Sequence, residues 1–433
     1  MKKKIITAVF LAAFTIATTP ISYAQTSLNN TVKTNKDESI KPFHIKIPES
    51  KIVDLKARLQ NTKWPDRELV NNETQGVKLE TMKSLADYWS TGYNWRKIES
   101  KLNSYPQFIT NIDGVDIHFI HVRSKNKKAL PMIITHGWPG SVIEQLKIID
   151  QLTDPEKFGG KAEDAFDVVI PSIPGHGFSG KPTDLGWNPV HIAKAWIKLM
   201  DRLGYNKYVA QGGDWGNAIS ENMALIAPEA LLGIHTNMAA AVPHDISDAL
   251  AKGIMPPNLD ADEKNAFEQL DFFYKKGLGY AQEMSLRPQT LYAIDDSPIG
   301  LAAWMLDHDD RSQKLIARVF SGGQEGLSKD DILDNISLYW FTNTGVSSAR
   351  LYWEASQGST AGFFDPRGLK IPVAVSAFPD EIYATPKSWA QRAYPKLIYF
   401  NKLDKGGHFA AWEQPELFAR EMRNAFKSLR VKL

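Results

Sequence analysis

The chain has 433 residues, of which 43% are hydrophobic and 23% charged, with a formal net charge of +2. This is the balance of a globular protein with a core large enough to need no disulfide or metal staple, and it provides no single-sign field to gather nucleic acid or anionic membrane. The sequence contains no cysteine, which excludes disulfides, thiol nucleophiles and cysteine metal sites.

The first 24 residues read as a separate object. Lys2, Lys3 and Lys4 precede an apolar run from Ile5 to about Ala17, and Ser22-Tyr23-Ala24 offers small residues for cleavage before Gln25. This is the layout of a secretory signal, and the run is shorter than the ~20 residues a membrane span requires. The expectation is an exported protein, periplasmic or secreted, with no stable membrane span after cleavage. Losing three lysines and no acid turns the net charge to −1. The absence of thiols suits an oxidising compartment.

Residues 25–41 are polar and read as a flexible linker. Residues 42–107 are rich in helix formers and carry Trp64, Trp89 and Trp95. A hairpin is predicted next, with Phe108–Ile112 and Val115–Ile120 on either side of Asp113-Gly114, a strong turn signal. Short apolar runs follow at Met132–Thr135, Phe166–Ile170, Tyr208–Gln211, Leu231–His235, Ile371–Ser376 and Leu397–Phe400. Helical segments separate several of them. Such alternation predicts an α/β architecture, a mostly parallel central sheet with helices on both faces, whose chemistry lies in loops beyond the strand C-terminal ends. Residues 242–368 break the alternation. They are helical in pattern, with Ser328 and Asp331 as a capping box and a helix over Asp262–Lys276 stopping near Gly277. They read as a helical cap inserted between two parts of the core, 108–241 and 369–433.

The sharpest motif is Gly212-Gly213-Asp214-Trp215-Gly216, between the run Tyr208–Gln211 and the helical stretch Asn217–Ile226. A tight strand-to-helix turn needs small residues around its reactive one. The pattern is that of the G-x-S-x-G nucleophile turn, with Asp in place of Ser. A carboxylate needs no activation at neutral pH because its reference pKa is about 4. It can open a strained ring or displace a halide, leaving an alkyl ester that water must cleave. The loop His136-Gly137-Trp138-Pro139-Gly140-Ser141 follows the run Met132–Thr135. In an α/β-hydrolase the backbone N–H groups of Trp138 and Trp215 would form the oxyanion hole. Gly406-Gly407-His408-Phe409 follows Leu397–Phe400, and His408 can serve as general base on the hydrolytic water. Its partner acid should follow the preceding strand. Asp380 and Glu381 both qualify, and Asp245 is a more distant alternative.

These residues resemble epoxide hydrolases of the microsomal type, on the α/β-hydrolase fold. The resemblance spans about residues 41–430. Its marks include Tyr88-Trp89, Asn94-Trp95-Arg96 and Tyr105-Pro106-Gln107-Phe108 in the N-terminal segment typical of the family. Further marks are His136–Ser141, Pro174-Gly175-His176-Gly177-Phe178-Ser179, Gly212–Gly216, Asp296–Leu301, Ser376–Glu381 and Gly406–Phe409. The resemblance implies Asp214 as nucleophile, His408 as base and Glu381 as charge-relay acid, with Asp380 beside it still open. It also implies that Tyr280 and Tyr352, from the cap, donate hydrogen bonds to the epoxide oxygen. No metal or organic cofactor is implied. The expected partners are a small apolar epoxide and water, and the oligomeric state is left open, a homodimer included. Eukaryotic members of this type carry a membrane anchor, and here the chain departs from them. Two competing readings follow from the residues alone: a haloalkane dehalogenase using the same aspartate, and a non-catalytic binding protein on this fold. An esterase is disfavoured because no serine occupies the turn.

Overall fold

The structure is a computed structural model that describes residues 37–226, 229–323, 326–357 and 362–432. The expected signal segment and most of the expected linker lie outside the described residues.

Nine strands form one sheet. They are β1 (Lys41–Pro42), β2 (Gln107–Ile112), β3 (Val115–Val122), β4 (Leu130–Thr135), β5 (Phe166–Pro171), β6 (Tyr208–Gly212), β7 (Leu231–Thr236), β8 (Val373–Ala377) and β9 (Leu397–Lys402), in the spatial order β1-β2-β3-β5-β4-β6-β7-β8-β9. The pairs from β1 to β5 are antiparallel, and those from β5 through β4 to β9 are parallel. β2 and β3 join at Asp113-Gly114, both with positive φ, as a two-residue hairpin turn requires. β4, β6 and β8 are buried at every residue, because helices cover both faces and a strand between two helical layers has no solvent side.

The expected linker boundary at residue 41 falls late. Ordered chain is already present at Glu38, whose backbone oxygen accepts from Thr110 Oγ1 at 2.8 Å and whose carboxylate meets Arg202 at 3.0 Å. β1 then pairs with β2.

Between β7 and β8 the chain is helical, from His244–Lys252 through Gly345–Ser356. Ser328 caps the helix Lys329–Thr342 reciprocally with Asp331. The expected helix over Asp262–Lys276 is in fact Ala261–Phe272, capped by Asp260 and Glu263, followed by a π-helical turn over Phe273–Gly277. Three N-terminal helices, Glu49–Gln60, Leu79–Thr91 and Trp95–Asn103, bond to this block. Trp89 Nε1 donates to Ser337 Oγ at 2.9 Å, and the Tyr88 and Tyr93 hydroxyls donate to Asp330 and Asp334 at 2.7 and 2.8 Å. No helix among the described residues is long and apolar enough to cross a membrane.

Candidate active site

The turn after β6 holds Asp214 at φ 49°, a left-handed conformation that costs a non-glycine residue roughly 1–2 kcal/mol. Neighbouring glycines make it reachable. A Cβ on Gly212 would strike the backbone of Gly216, and one on Gly216 would strike the carbonyl oxygen of Thr135 on β4. Asp214 opens the helix Asp214–Ile226, whose N-terminal dipole favours negative charge there. Its side chain is buried, 6% exposed. Because β4 lies beside β6, the loop 136–141 lies over the turn, and the Trp138 N–H donates to Asp214 Oδ1 at 2.8 Å. His136 stays structural: its Nε2 accepts from the Ile173 N–H at 3.1 Å, and burial lowers its pKa to about 4.

The loops after β8 and β9 supply the second pair. His408 Nδ1 and Glu381 Oε1 are 2.6 Å apart, and both side chains are buried. Glu381 is fixed in turn by the Ile382 N–H at 2.8 Å and by Asn237 Nδ2 at 3.3 Å. Asn237, just past β7, accepts from Gln211 Nε2 at 3.1 Å. The two N–H groups flanking His408, those of Gly407 and Phe409, both donate to Glu413, at 3.0 and 3.1 Å. Burial alone would lower the His408 pKa, but Glu381, followed by Asp214 and Asp309, outweighs it and raises the imidazole to about 10. Of the three candidate acids only Glu381 reaches His408. Asp380 turns outward to Arg311 at 2.6 Å, and Asp245 pairs with Arg392 at 2.5 Å on the surface.

The cap closes the site with aromatic rings. Tyr280, on the helix Gly279–Leu286, stacks on Trp138 at 5.1 Å and 15°. Tyr352, on Gly345–Ser356, sits edge-on to Trp215 at 4.7 Å, to Trp138 at 5.8 Å and to Tyr280 at 6.0 Å. Both phenols are held well above the ordinary value of 10, chiefly by burial, with the Asp214 charge adding to it.

The sequence reading did not single out three groups. His308 is buried, with Nδ1 3.0 Å from Asp309 and its ring 4.4 Å from that of His408 and 5.1 Å from that of Tyr280. A ring nitrogen of His308, one of His408 and an Asp214 oxygen all lie within 4.8 Å of one another. Glu144 lines a cavity of about 20 Å³ together with Asp214 and His408. Asn237 links Gln211 to Glu381. A histidine flanked by acids in Asp307-His308-Asp309-Asp310 is the signal that could have drawn attention to the first.

The arrangement thus brings a carboxylate, an imidazole–carboxylate pair, a backbone donor and two buried phenols together at the meeting of core and cap. Two family models match the chain: the epoxide hydrolase N terminus over residues 40–145 and the alpha/beta hydrolase fold over residues 131–299. A Stigmatella aurantiaca protein whose name assigns it provisionally to the epoxide hydrolases is 48% identical, over 91% of this chain and 86% of its own length. Epoxide hydrolase 1 of Sus scrofa is 36% identical, over 90% of this chain and 88% of its own. The crystal structure of juvenile hormone epoxide hydrolase from the silkworm Bombyx mori superposes with a TM-score of 0.80 at 32% identity, covering 92% of this chain and 96% of that one.

Proposed function

The chain belongs to the epoxide hydrolases, and on that premise we propose a two-step conversion of a small apolar epoxide to a vicinal diol with Asp214 as nucleophile. One Asp214 oxygen attacks an epoxide carbon. The carbon–oxygen bond breaks, and the ring oxygen takes a proton through the Tyr280 and Tyr352 hydroxyls. Phenols kept protonated by burial are suited to donate to a developing alkoxide. The resulting ester is then attacked at the Asp214 carbonyl carbon by water. His408, oriented by Glu381, takes one proton from that water, and the other goes to the departing diol oxygen.

The charge on His408 supports this order of events. In the resting site Asp214 is one of the groups holding the imidazole protonated. Esterification cancels that charge, so the His408 pKa falls and its proton can pass to the newly formed alkoxide. His408 is then a neutral base when the hydrolytic water needs one, and it regains its proton from that water. The cycle closes with no net proton exchanged. The Trp138 amide, already on Asp214 Oδ1, supports a role in holding the tetrahedral oxyanion, with the Trp215 amide as the second donor.

The observation that carries this reading is the convergence of a strained, buried Asp214 with His408, one of whose ring nitrogens lies within 4.8 Å of an Asp214 oxygen while its Nδ1 meets Glu381. The paired cap phenols favour an epoxide over an alkyl halide, whose leaving ion needs halide donors instead. A single turnover in heavy-oxygen water tests it. The heavy atom enters the Asp214 carboxylate and the first diol carries none. A labelled first diol, or an Asp214→Asn variant that works at the wild-type rate without deamidation, overturns it.

We also read residues 1–24 as an export signal, supported by the basic-then-apolar layout and the total lack of cysteine. N-terminal sequencing of the exported protein tests this. A mature chain starting at Gln25 supports it, and an intact Met1 in the cytoplasm opposes it.

A further inference from the structure

We propose that Glu144, as a neutral acid, holds the water that opens the ester, in a site for one molecule beside Asp214. The proposal rests on the reading of Asp214 as an esterified nucleophile.

The cavity of about 20 Å³ is lined by Gly137, Glu144, Gln145, Gln211, Asp214 and His408, among others. A single water needs about 10–15 Å³ and two to four polar partners, so the space takes one and little more. Its lining is polar where it counts. Gln145 Oε1 and Gln211 Oε1 are buried side-chain acceptors with no partner among the described residues. Buried acceptors of this kind are normally satisfied by protein or by ordered water. His408 and Asp214, the two groups that the hydrolytic water must meet, line the same cavity.

Glu144 is placed here by its loop. Ser141 caps the short turn Val142–Gln145 by accepting from the Ile143 N–H at 3.2 Å. In the sequence, Ser141-Val142-Ile143-Glu144 has the form of a capping box, which would turn the glutamate back to the cap. Instead the carboxyl folds inward, over Gly140. A Cβ at residue 140 would collide with Glu144 Oε2, so the glycine leaves the room that Glu144 fills. Cap groups clamp the loop in this shape. The Tyr339 hydroxyl donates to the Gly140 carbonyl at 2.6 Å, Asn335 Nδ2 donates to the Pro139 carbonyl at 2.8 Å, and Ser141 Oγ donates to Asn335 Oδ1 at 2.7 Å. Glu144 Oε1 accepts from Gln145 Nε2 at 3.0 Å.

The ionisable groups facing Glu144 are Asp214 beyond β6, His408 beyond β9 and Tyr339 on the cap helix Lys329–Thr342. Burial raises the Glu144 pKa to about 8, against the opposing pull of His408 and the Gln145 bond and with Asp214 adding to it. At neutral pH its carboxyl is therefore a hydrogen-bond donor. A water accepting from Glu144 can donate one hydrogen to His408 and the other to the amide oxygen of Gln145 or Gln211. One lone pair remains for the Asp214 carbonyl carbon. As the new carbon–oxygen bond forms, the first hydrogen passes to His408. When the bond to the substrate oxygen breaks, the second goes to the leaving diol. An ionised Glu144 would withdraw the donor and set an anion beside the carbon under attack.

The test is rapid-quench kinetics with styrene oxide, following formation and decay of the alkyl-enzyme in wild type, E144Q and E144M. E144M should esterify at the wild-type rate and hydrolyse about tenfold more slowly, the loss of one hydrogen bond to the reacting water. E144Q, whose amide N–H can replace the acid O–H, should recover hydrolysis. Wild-type hydrolysis should decline above about pH 8, and E144Q should lose that decline. Equal slowing of both steps in E144M, wild-type hydrolysis in E144M, or an alkaline decline retained in E144Q overturns the proposal. If E144M does not fold, the E144Q pH profile decides alone. An absence of alkyl-enzyme in wild type and in E144M alike, with diol still formed, overturns the Asp214 reading itself, whereas an ester that forms and decays normally in E144M removes only the role of Glu144.

Discussion

Replacing Glu381 with glutamine should separate the two chemical steps. The substitution keeps the size and an acceptor oxygen against His408 Nδ1, at a contact now 2.6 Å long, but removes the negative charge. A hydrogen bond to a charged group contributes about 1.5–3 kcal/mol and a neutral one about 0.5–1.5. The larger loss comes when His408 takes the water proton and becomes an imidazolium without its hydrogen-bonded counter-charge in a buried site. Breaking a buried pair in this way costs about 3–5 kcal/mol, equivalent to about 10²–10⁴-fold in rate at about 1.4 kcal/mol per decade. That penalty belongs to ester hydrolysis, so alkyl-enzyme should accumulate, visible by intact-protein mass spectrometry after a rapid quench. Asp380→Asn is the matched control. Its carboxylate meets Arg311 at the surface, and such pairs are worth about 0–1 kcal/mol. Turnover that survives E381Q but is lost in D380N would refute the assignment of the acid.

Three further outcomes follow. Y280F and Y352F each remove one donor to the epoxide oxygen, so single-turnover alkylation should slow by about 10² or more in each while decay of preformed ester holds; a slowed decay alone would contradict their placement. Asp309→Asn keeps the helix cap that Asp309 Oδ1 provides to the Arg311 and Ser312 N–H groups but removes a charge that raises His408, so the rising limb of hydrolysis against pH should move to lower pH. Asp334 accepts from the Tyr93 hydroxyl, and burial raises its pKa from 3.8 to about 8. The folded state therefore keeps a proton that the unfolded chain releases. The stability this contributes is full below about pH 4 and lost as pH rises towards 8. Asp334→Asn should thus gain in melting temperature relative to wild type across that window, and a difference that is flat or shrinks would refute it.

The strands were legible because a buried parallel sheet writes itself as unbroken apolar runs. Lys41–Pro42 was not, since two residues with no apolar pattern and a proline carry no strand signal, although an edge strand accepts proline. The reading of Asp262–Lys276 as one helix found its end at Gly277 but not the widening into a π turn from Phe273. Asp214 and His408 stood out because glycines needed for tight turns flank them in sequence. The choice between Asp380 and Glu381 could not be made from their own neighbourhood. Arg311 from the cap draws one outward, and Asn237 from beyond β7 holds the other inward. His308 lay hidden among acids that read as a helix start, and Glu144 in what reads as a helix cap. In both cases the local pattern had an ordinary explanation, and only the meeting of distant loops distinguishes them.

That dependence on distant contacts gives the N-terminal segment a mechanical place in the site. The helix Lys329–Thr342 carries two polar faces. Asp330, Asp334 and Ser337, spaced four and three residues apart, lie along one side and bond Tyr88, Tyr93 and Trp89 of the N-terminal segment. Asn335 and Tyr339, four apart, lie along another and hold the carbonyls of Pro139 and Gly140. Those carbonyls belong to the loop whose Trp138 amide sits on Asp214 and whose glycine makes room for Glu144. A chain of hydrogen bonds thus runs from the N-terminal segment, across one cap helix, to the nucleophile. Donors placed for a transition state act only if they are fixed before it forms. The core supplies the nucleophile and the base, but the loop beside them is positioned from the cap side. A brace on that side is therefore part of what sets the geometry at Asp214.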